Sequence, residues 1–210
     1  MIVLFYDDKI ITRGPLALFQ GVWRTKDENT GKIFSIADYS NGKEHGHCLY
    51  FSDNGGIEQS SYHYHGVLNG SWILFWENGN FRQIGYYSNG KLEGLFKYFD
   101  TTGSLISVLE YANRTCEGPE IRFYSSDNVK LTTFYFAGWE NGVRREYKDS
   151  IGTPLKGEFV IKNGLPVTGK FYDNGVLTKT QQYDYEQLLK ERETLNKKGG
   201  DHQVRELLSD

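Results

Sequence analysis

The sequence predicts an all-β protein, namely an elongated antiparallel β-hairpin repeat with a 24-residue period and a short α-helical C-terminal cap. Three observations lead to this prediction. Glycines recur every 24 residues, aromatic residues recur in the same phase, and Asn-Gly pairs separate short apolar runs. A fixed period of this length is typical of repeat folds in which each unit is stabilised by its neighbours.

The period is read from an anchor glycine that occurs five times without an insertion, as Gly46, Gly70, Gly94, Gly118 and Gly142. Two aromatic columns keep the same spacing. They consist of Tyr39, His63, Tyr87, Tyr111 and Tyr135, and of Phe51, Phe75, Phe99, Phe123 and Tyr147. Degenerate copies on both sides extend the predicted repeats to about residues 14–176.

Each unit contains two apolar runs and two turns. One run is rich in aromatic and β-branched residues, as in 72–76, and the return run ends in an Asn-Gly pair such as Asn89-Gly90. Asn-Gly between apolar runs is a strong hairpin signal, because both central residues of a type I′ turn need positive φ. Twenty-four residues therefore predict two strands and leave no length for a helix.

The two ends of the chain differ from the repeats. Residues 1–13 predict an N-terminal hairpin with its turn at Asp7-Asp8, and residues 1–180 form the predicted repeat domain. Residues 181–210 hold only two aromatic residues and predict a helical cap or tail. Asp184 is placed to cap a helix with one apolar side and an end at Gly199-Gly200, followed by a short second helix over 201–208. The apolar side consists of Tyr185, Leu188, Leu189 and Leu195. This segment either covers an open sheet edge or binds a partner.

Composition excludes several classes of protein. Lysine and arginine total 24 against 27 aspartate and glutamate, a net charge of −3, which argues against a nucleic-acid binder or a basic membrane-surface protein. No apolar run is long enough to span a bilayer, and the N-terminus has no basic region of a secretion signal. Cys48 and Cys116 have no CxxC partner and are interpreted as free thiols. These features predict a cytoplasmic location.

The repeat unit resembles the bacterial variant of the MORN repeat. Residues 87–99, Tyr-Ser-Asn-Gly-Lys-Leu-Glu-Gly-Leu-Phe-Lys-Tyr-Phe, are the best copy, and the similarity extends over about residues 14–176. The chain departs from the pattern at Arg114, at Asp127 and in the interval 142–169. The resemblance implies a β-hairpin array that binds proteins. No catalytic residue is carried over, because the repeat itself has none.

The same resemblance implies a function, since bacterial variants of this repeat are widespread among antitoxins and immunity proteins. We therefore expect an antitoxin or immunity protein that neutralises a cognate toxin or effector protein by steric occlusion, without a cofactor. A MORN-type scaffold or adaptor for protein or membrane assembly is the alternative. An enzyme built on the repeat frame is less favoured, because the chain has no GxSxG, HExxH or Walker motif. The oligomeric state stays open.

Candidate partner-binding residues are those that break the repeat template. They are Trp72, Trp76, Arg114, Arg122, Trp139, Arg144 and Arg145. Trp and Arg are enriched in binding hot spots, because they combine large contact area with directional hydrogen bonds. The four arginines predict a local positive face, and the alternative is that all seven residues only pack or solvate the sheet.

Four of the five histidines are close in sequence: His45, His47, His63 and His65. If the intervening hairpin turns near Asn54, His45 and His47 approach His63 or His65 across the ladder, and imidazole is a zinc ligand. Against a metal site, His63 simply replaces a column tyrosine, and Cys48 is expected on the other face. The expectation is that no metal is bound, with these histidines as weak candidates.

Overall fold

The computed structural model describes residues 2–6, 9–10, 20–27 and 29–197, and the side chains of residues 20–27 and 29–196. Contacts divide the chain into two units, residues 1–116 and 117–210. Each unit is a sheet of antiparallel strands, as the repeat predicts. Among the described residues, no helix is long and apolar enough to cross a membrane.

The first unit consists of strands that pair in chain order from the third strand onward. The strands are β1 (Ile2–Tyr6), β2 (Lys9–Ile10), β3 (Gly21–Asp27), β4 (Ile33–Ser40), β5 (Lys43–Phe51), β6 (Ile57–Tyr64), β7 (Val67–Phe75), β8 (Phe81–Ser88), β9 (Lys91–Leu92), β10 (Gly94–Phe99) and β11 (Leu105–Ala112). Strand β1 pairs with both β2 and β3, which agrees with an N-terminal hairpin. Its predicted turn at residues 7–8 and residues 11–13 lie outside the described residues.

The division between the units falls within β12 (Thr115–Phe123). The second unit continues with β13 (Val129–Phe136), β14 (Trp139–Glu140), β15 (Gly142–Tyr147), β16 (Leu155–Lys162), β17 (Leu165–Asp173), β18 (Val176–Gln182) and the helix α1 (Tyr185–Lys197). The predicted C-terminal helix is therefore present, and α1 is the single helix among the described residues. The predicted stop at residues 199–200 and the second helix at 201–208 lie outside them.

The anchor glycines lie at β-bulges, where one strand has more residues than its partner. Between β4 and β5 the register passes from Ala37–Cys48 to Tyr39–Glu44, so three residues of β5 face one of β4. Gly46 lies in this bulge with φ of 120°, and a Cβ atom there would come within 2.9 Å of Asp38. Positive φ and this close approach together explain why the position is glycine.

The Asn-Gly pairs form the predicted type I′ turns, with φ of 49° at Asn89 and 72° at Gly90. Successive turns are also joined to the preceding repeat. The amide of Gly90 donates to the carbonyl of Leu68 at 2.8 Å, and the amide of Arg114 donates to that of Leu92 at 3.1 Å. These hydrogen bonds connect neighbouring repeats at the turn edge of the sheet.

A single row of side chains forms the core of the first unit. Its members lie opposite one another on consecutive strands: Trp23, Ala37, Cys48, Ser61, Trp72, Gly85, Phe96 and Leu109. Phe96 is fully buried, and its ring lies where Gly85 leaves room for it. We call the face of each sheet that carries its buried residues the inner face, and the opposite one the outer face.

Candidate partner-binding surface

The two tryptophans of β7 and its turn are half-buried and lie within the packing of the first unit. The Trp72 ring lies 5.6 Å from that of Tyr87 on the inner face. Trp76 donates its Nε1–H to the carbonyl of Phe99 at 3.1 Å, and the Arg82 guanidinium lies 4.9 Å from its ring. An open groove of about 470 Å³ lies beside Trp76. Trp76 therefore has an accessible side, whereas Trp72 contributes mainly to the core.

Arg114 occupies the glycine position of a type I′ turn, with φ of 74°. Its guanidinium donates from Nε and Nη2 to the carbonyl of Gly90, at 3.1 and 2.5 Å. The side chain therefore links two stacked turns and stays exposed. These hydrogen bonds offer one reason why an arginine is tolerated where other repeats have glycine.

The other three arginines are paired with glutamates of the second unit. Arg122 binds Glu120 through two nitrogens, at 2.7 and 3.1 Å. Arg144 binds Glu146 at 2.6 Å, and Arg145 binds Glu158 at 3.0 Å. The positive face expected from the sequence is thus largely neutralised here. Their part in binding a partner stays a prediction.

The inner face of the second unit carries a polar cluster where the first unit has its apolar row. Glu120 is only 4% exposed and lies opposite Thr133, whose hydroxyl donates to Glu140 at 2.6 Å. Burial, together with the charges of Glu120 and Glu140, raises the pKa of Tyr135 to about 12. The cluster is internally hydrogen-bonded, and we assign it to packing.

Trp139 is 49% exposed and lies against α1. The guanidinium of Arg192 is 4.7 Å from its ring, and the same side chain donates to the carbonyl of Asn163 at 2.6 Å. Lys162 lies 5.0 Å from the ring of Tyr185, at the start of the helix. Helix α1 therefore packs beside the turns of the second unit.

The outer face of the second unit carries an exposed apolar row, which sequence reasoning missed. We call Pro119, Phe134, Val143 and Val160 the outer row. Pro119 lies opposite Phe134, and Val143 lies opposite Val160 on the following strands. Phe134 is 46% exposed, and the other three members are exposed as well. A signal existed in the sequence, because positions 119 and 143 directly follow two anchor glycines.

The first unit has a related but shorter apolar group on its outer face. Leu95, which directly follows the anchor Gly94, is 56% exposed, and Tyr86 on the neighbouring strand is exposed too. Serine and histidine take the equivalent places in earlier repeats, at Ser71 and His47. The apolar character of this column therefore increases from residue 47 to residue 143.

The four candidate histidines do not meet at one point. The rings of His45 and His65 lie 4.7 Å apart, and His47 lies 5.1 Å from the ring of Tyr62. His63 is buried on the inner face, with its Nε2 3.6 Å from Oε2 of Glu44. Burial lowers the pKa of His63, and Glu44 opposes that change. The structure thus separates His63 from the other three.

Comparison with known families identifies two of the repeats. The family model described as MORN repeat variant matches residues 68–89 and 92–113. Each match spans one hairpin of the first unit. The match supports a β-repeat scaffold for protein binding and identifies no partner. A search of curated proteins finds no match.

Similarity to solved structures is weak. The crystal structure of the GtfA/B complex bound to UDP and GlcNAc matches at 14% identity and a TM-score of 0.25, covering 63% of this chain and 26% of that one. The crystal structure of TarM matches at 11% identity and a TM-score of 0.25, covering 85% of this chain and 22% of that one. This chain thus spans about a quarter of each, and at these scores the similarity carries no argument.

Proposed function

We propose that this chain is a cytoplasmic antitoxin or immunity protein that binds a cognate bacterial toxin or effector and blocks its active site sterically. The outer row carries this proposal. Four exposed apolar side chains on successive strands form a surface of the kind that protein interfaces bury. The matched repeat supports a protein-binding scaffold. The antitoxin class is what the resemblance of the repeat to bacterial MORN variants implies.

The mechanism needs no reaction by this chain. Strands held by neighbours on both sides lose little conformational entropy on binding, so a preformed surface supports tight association. The arginine–glutamate pairs are already formed within the second unit, so the apolar row supplies most of the contact energy. Blocking an active site requires only that the bound surface exclude the toxin's substrate.

The experiment is neutralisation of the toxin-like product of a neighbouring gene. We expect the two proteins to co-purify, and cells carrying the neighbour to stop growing when the present gene is deleted. Phe134→Asp combined with Val143→Asp should abolish rescue, because charges in the interface must be desolvated on binding. Val176→Asp, a change at an exposed valine on β18 outside the outer row, is the control and should rescue fully.

Each other outcome has a defined meaning. If cells carrying the neighbour grow equally well without this gene, the antitoxin proposal is wrong. Co-purification without rescue of growth would instead support the scaffold or adaptor alternative. If the double variant is folded, by circular dichroism, and still rescues growth, the outer row is not the binding surface.

A further inference from the structure

One repeat differs from the matched ones at three positions that meet on the inner face of the first unit. The matched repeats have apolar and aromatic side chains there: Leu68, Trp72 and Tyr87 in one, and Leu92, Phe96 and Tyr111 in the next. The preceding repeat has Glu44, Cys48 and His63 at the same spacing. All three are metal-ligand types, and Cys48 and His63 replace an aromatic pair whose rings lie 5.1–5.6 Å apart in the other repeats.

The three donor groups are close together and enclosed. One ligand atom from each lies within 4.8 Å of the other two. Cys48 is fully buried and His63 is 7% exposed, while a quarter of the Glu44 side chain reaches solvent. The bulge at Gly46 brings Glu44 close to Cys48, because these two residues lie opposite Tyr39 and Ala37, which are only two positions apart on β4.

The cluster is poorly satisfied without a further ligand. Nδ1 of His63 is buried and has no hydrogen-bond partner among the described residues, and Nε2 is 3.6 Å from Glu44, beyond a good hydrogen bond. A buried imidazole without hydrogen bonds costs free energy that the tyrosine of the other repeats avoids. A bound cation would satisfy one nitrogen of the imidazole together with the thiolate and the carboxylate.

We propose that Glu44, Cys48 and His63 form a zinc site in the first unit. Thiolate, imidazole and carboxylate are the ligands that Zn²⁺ uses, and the two anionic ligands neutralise its charge. Tetrahedral bonds of about 2.0–2.3 Å place ligand atoms about 3.3–3.8 Å apart. The site therefore needs a contraction of about 1 Å at its longest separation, which side-chain rotation supplies.

A hydrogen bond from Tyr50 supports the proposed site. Its hydroxyl donates to Oε1 of Glu44 at 2.7 Å, while Oε2 faces His63. Such a bond orients a ligating carboxylate and holds the second oxygen toward the metal. The partial exposure of Glu44 gives the ion a path from solvent and leaves the fourth position to water. This site is independent of the outer row and of the proposed function.

The test uses the full chain, stripped with a chelator and titrated with Zn²⁺. We expect one equivalent to bind with a dissociation constant below about 1 µM, and a rise in melting temperature when zinc is present. Co²⁺ in place of zinc should give the near-ultraviolet charge-transfer absorption of a Co–thiolate bond. That spectrum identifies Cys48 or Cys116 as a ligand without any variant.

Variants then assign the site. Cys48→Ala and His63→Tyr, which restores the residue of the other repeats, should each weaken zinc binding at least about 100-fold. The controls Cys116→Ala and the double variant His45→Ala with His65→Ala should bind as the wild type does. Binding weaker than about 10 µM in the wild type overturns the proposal. So does a cobalt spectrum without thiolate absorption, or loss of binding only in the exposed histidine variant.

Discussion

Phe96 is the largest fully buried side chain among the described residues. Its ring lies 5.1 Å from that of Tyr111 and 6.0 Å from that of Tyr87. A Cβ atom at Gly85 would come within 2.1 Å of the ring. Position 85 therefore requires glycine because the Phe96 ring occupies the space that a Cβ atom would fill. No positive φ is involved at this position.

We predict that Phe96→Ala lowers the free energy of unfolding by about 3–5 kcal/mol, because it leaves a cavity bounded by aromatic rings. Leu95→Ala is the matched control, since the neighbouring side chain is 56% exposed on the other face. It should change stability by no more than about 0.5 kcal/mol. Urea unfolding measures both, and equal losses in the two variants would contradict this account of the core.

Tyr135 is the residue whose ionisation should affect stability in alkaline solution. Its pKa is raised to about 12 in the folded chain, first by burial and then by Glu120 and Glu140. Because the pKa is higher in the folded chain than in the unfolded one, neutral Tyr135 contributes to the free energy of unfolding, and this contribution is complete below the unfolded pKa near 10. It is then lost as the pH rises toward 12.

We therefore predict a steeper loss of stability between pH 10 and 12 in the wild type than in Tyr135→Phe. The difference should reach on the order of 1–2 kcal/mol, after allowance for solvent screening. Urea unfolding at intervals from pH 9 to 12 gives both profiles. Other tyrosines titrate equally in the two proteins, so parallel profiles would show that Tyr135 does not ionise in this way.

At the scale of elements, helix α1 is capped at its N-terminus by Asp184. The Asp184 carboxylate accepts a hydrogen bond from the amide of Gln187 at 3.0 Å, and the amide of Leu188 donates to the Asp184 carbonyl. This is the capping predicted from the sequence. Arg192, in the second half of the helix, contacts both Trp139 and Asn163 and holds α1 against the second unit.

Asp184→Ala should destabilise α1 by about 1 kcal/mol, because an amide of the first turn loses its acceptor. Hydrogen exchange of the helix amides should then be about fivefold faster, while the amides of β16 keep their protection. Glu193→Ala, an exposed change in the helix interior, is the control and should leave exchange unaltered. Faster exchange throughout β16 would mean that α1 and the sheet open together.

At the scale of the whole molecule, the described strands of each unit carry apolar side chains on both faces, and the members of the outer row on the second unit are exposed. Within the described residues, few apolar side chains are buried: Trp23, Ala37, Cys48, Phe96, Leu109, Ile161 and Leu165. Sheets of this kind owe much of their stability to hydrogen bonds and to same-face neighbours on adjacent strands. They therefore leave extended surface for a partner, as the proposed function requires.

The residues proposed for partner binding could be predicted only in part from the sequence. Breaks in the repeat template identified Trp76 and Trp139, each with an accessible side in the structure. The same reasoning also selected Trp72, Arg122 and Arg144, which are partly buried among aromatic rings or paired with glutamates. Residue type alone does not distinguish a free arginine from one paired with a glutamate two positions away on the same strand.

The sequence by itself determined the repeat, its hairpins and the capped helix, because period, turn chemistry and capping are local properties of the chain. Only the tertiary structure decided which side chains share a face. The register shift between Tyr50 and Phe51 pairs His63 with Gly46, so His63 lies on the face of Glu44 and Cys48, while His45 lies on the other face beside His65. The offset depends on how two strands pair, and simple alternation along one strand does not contain it.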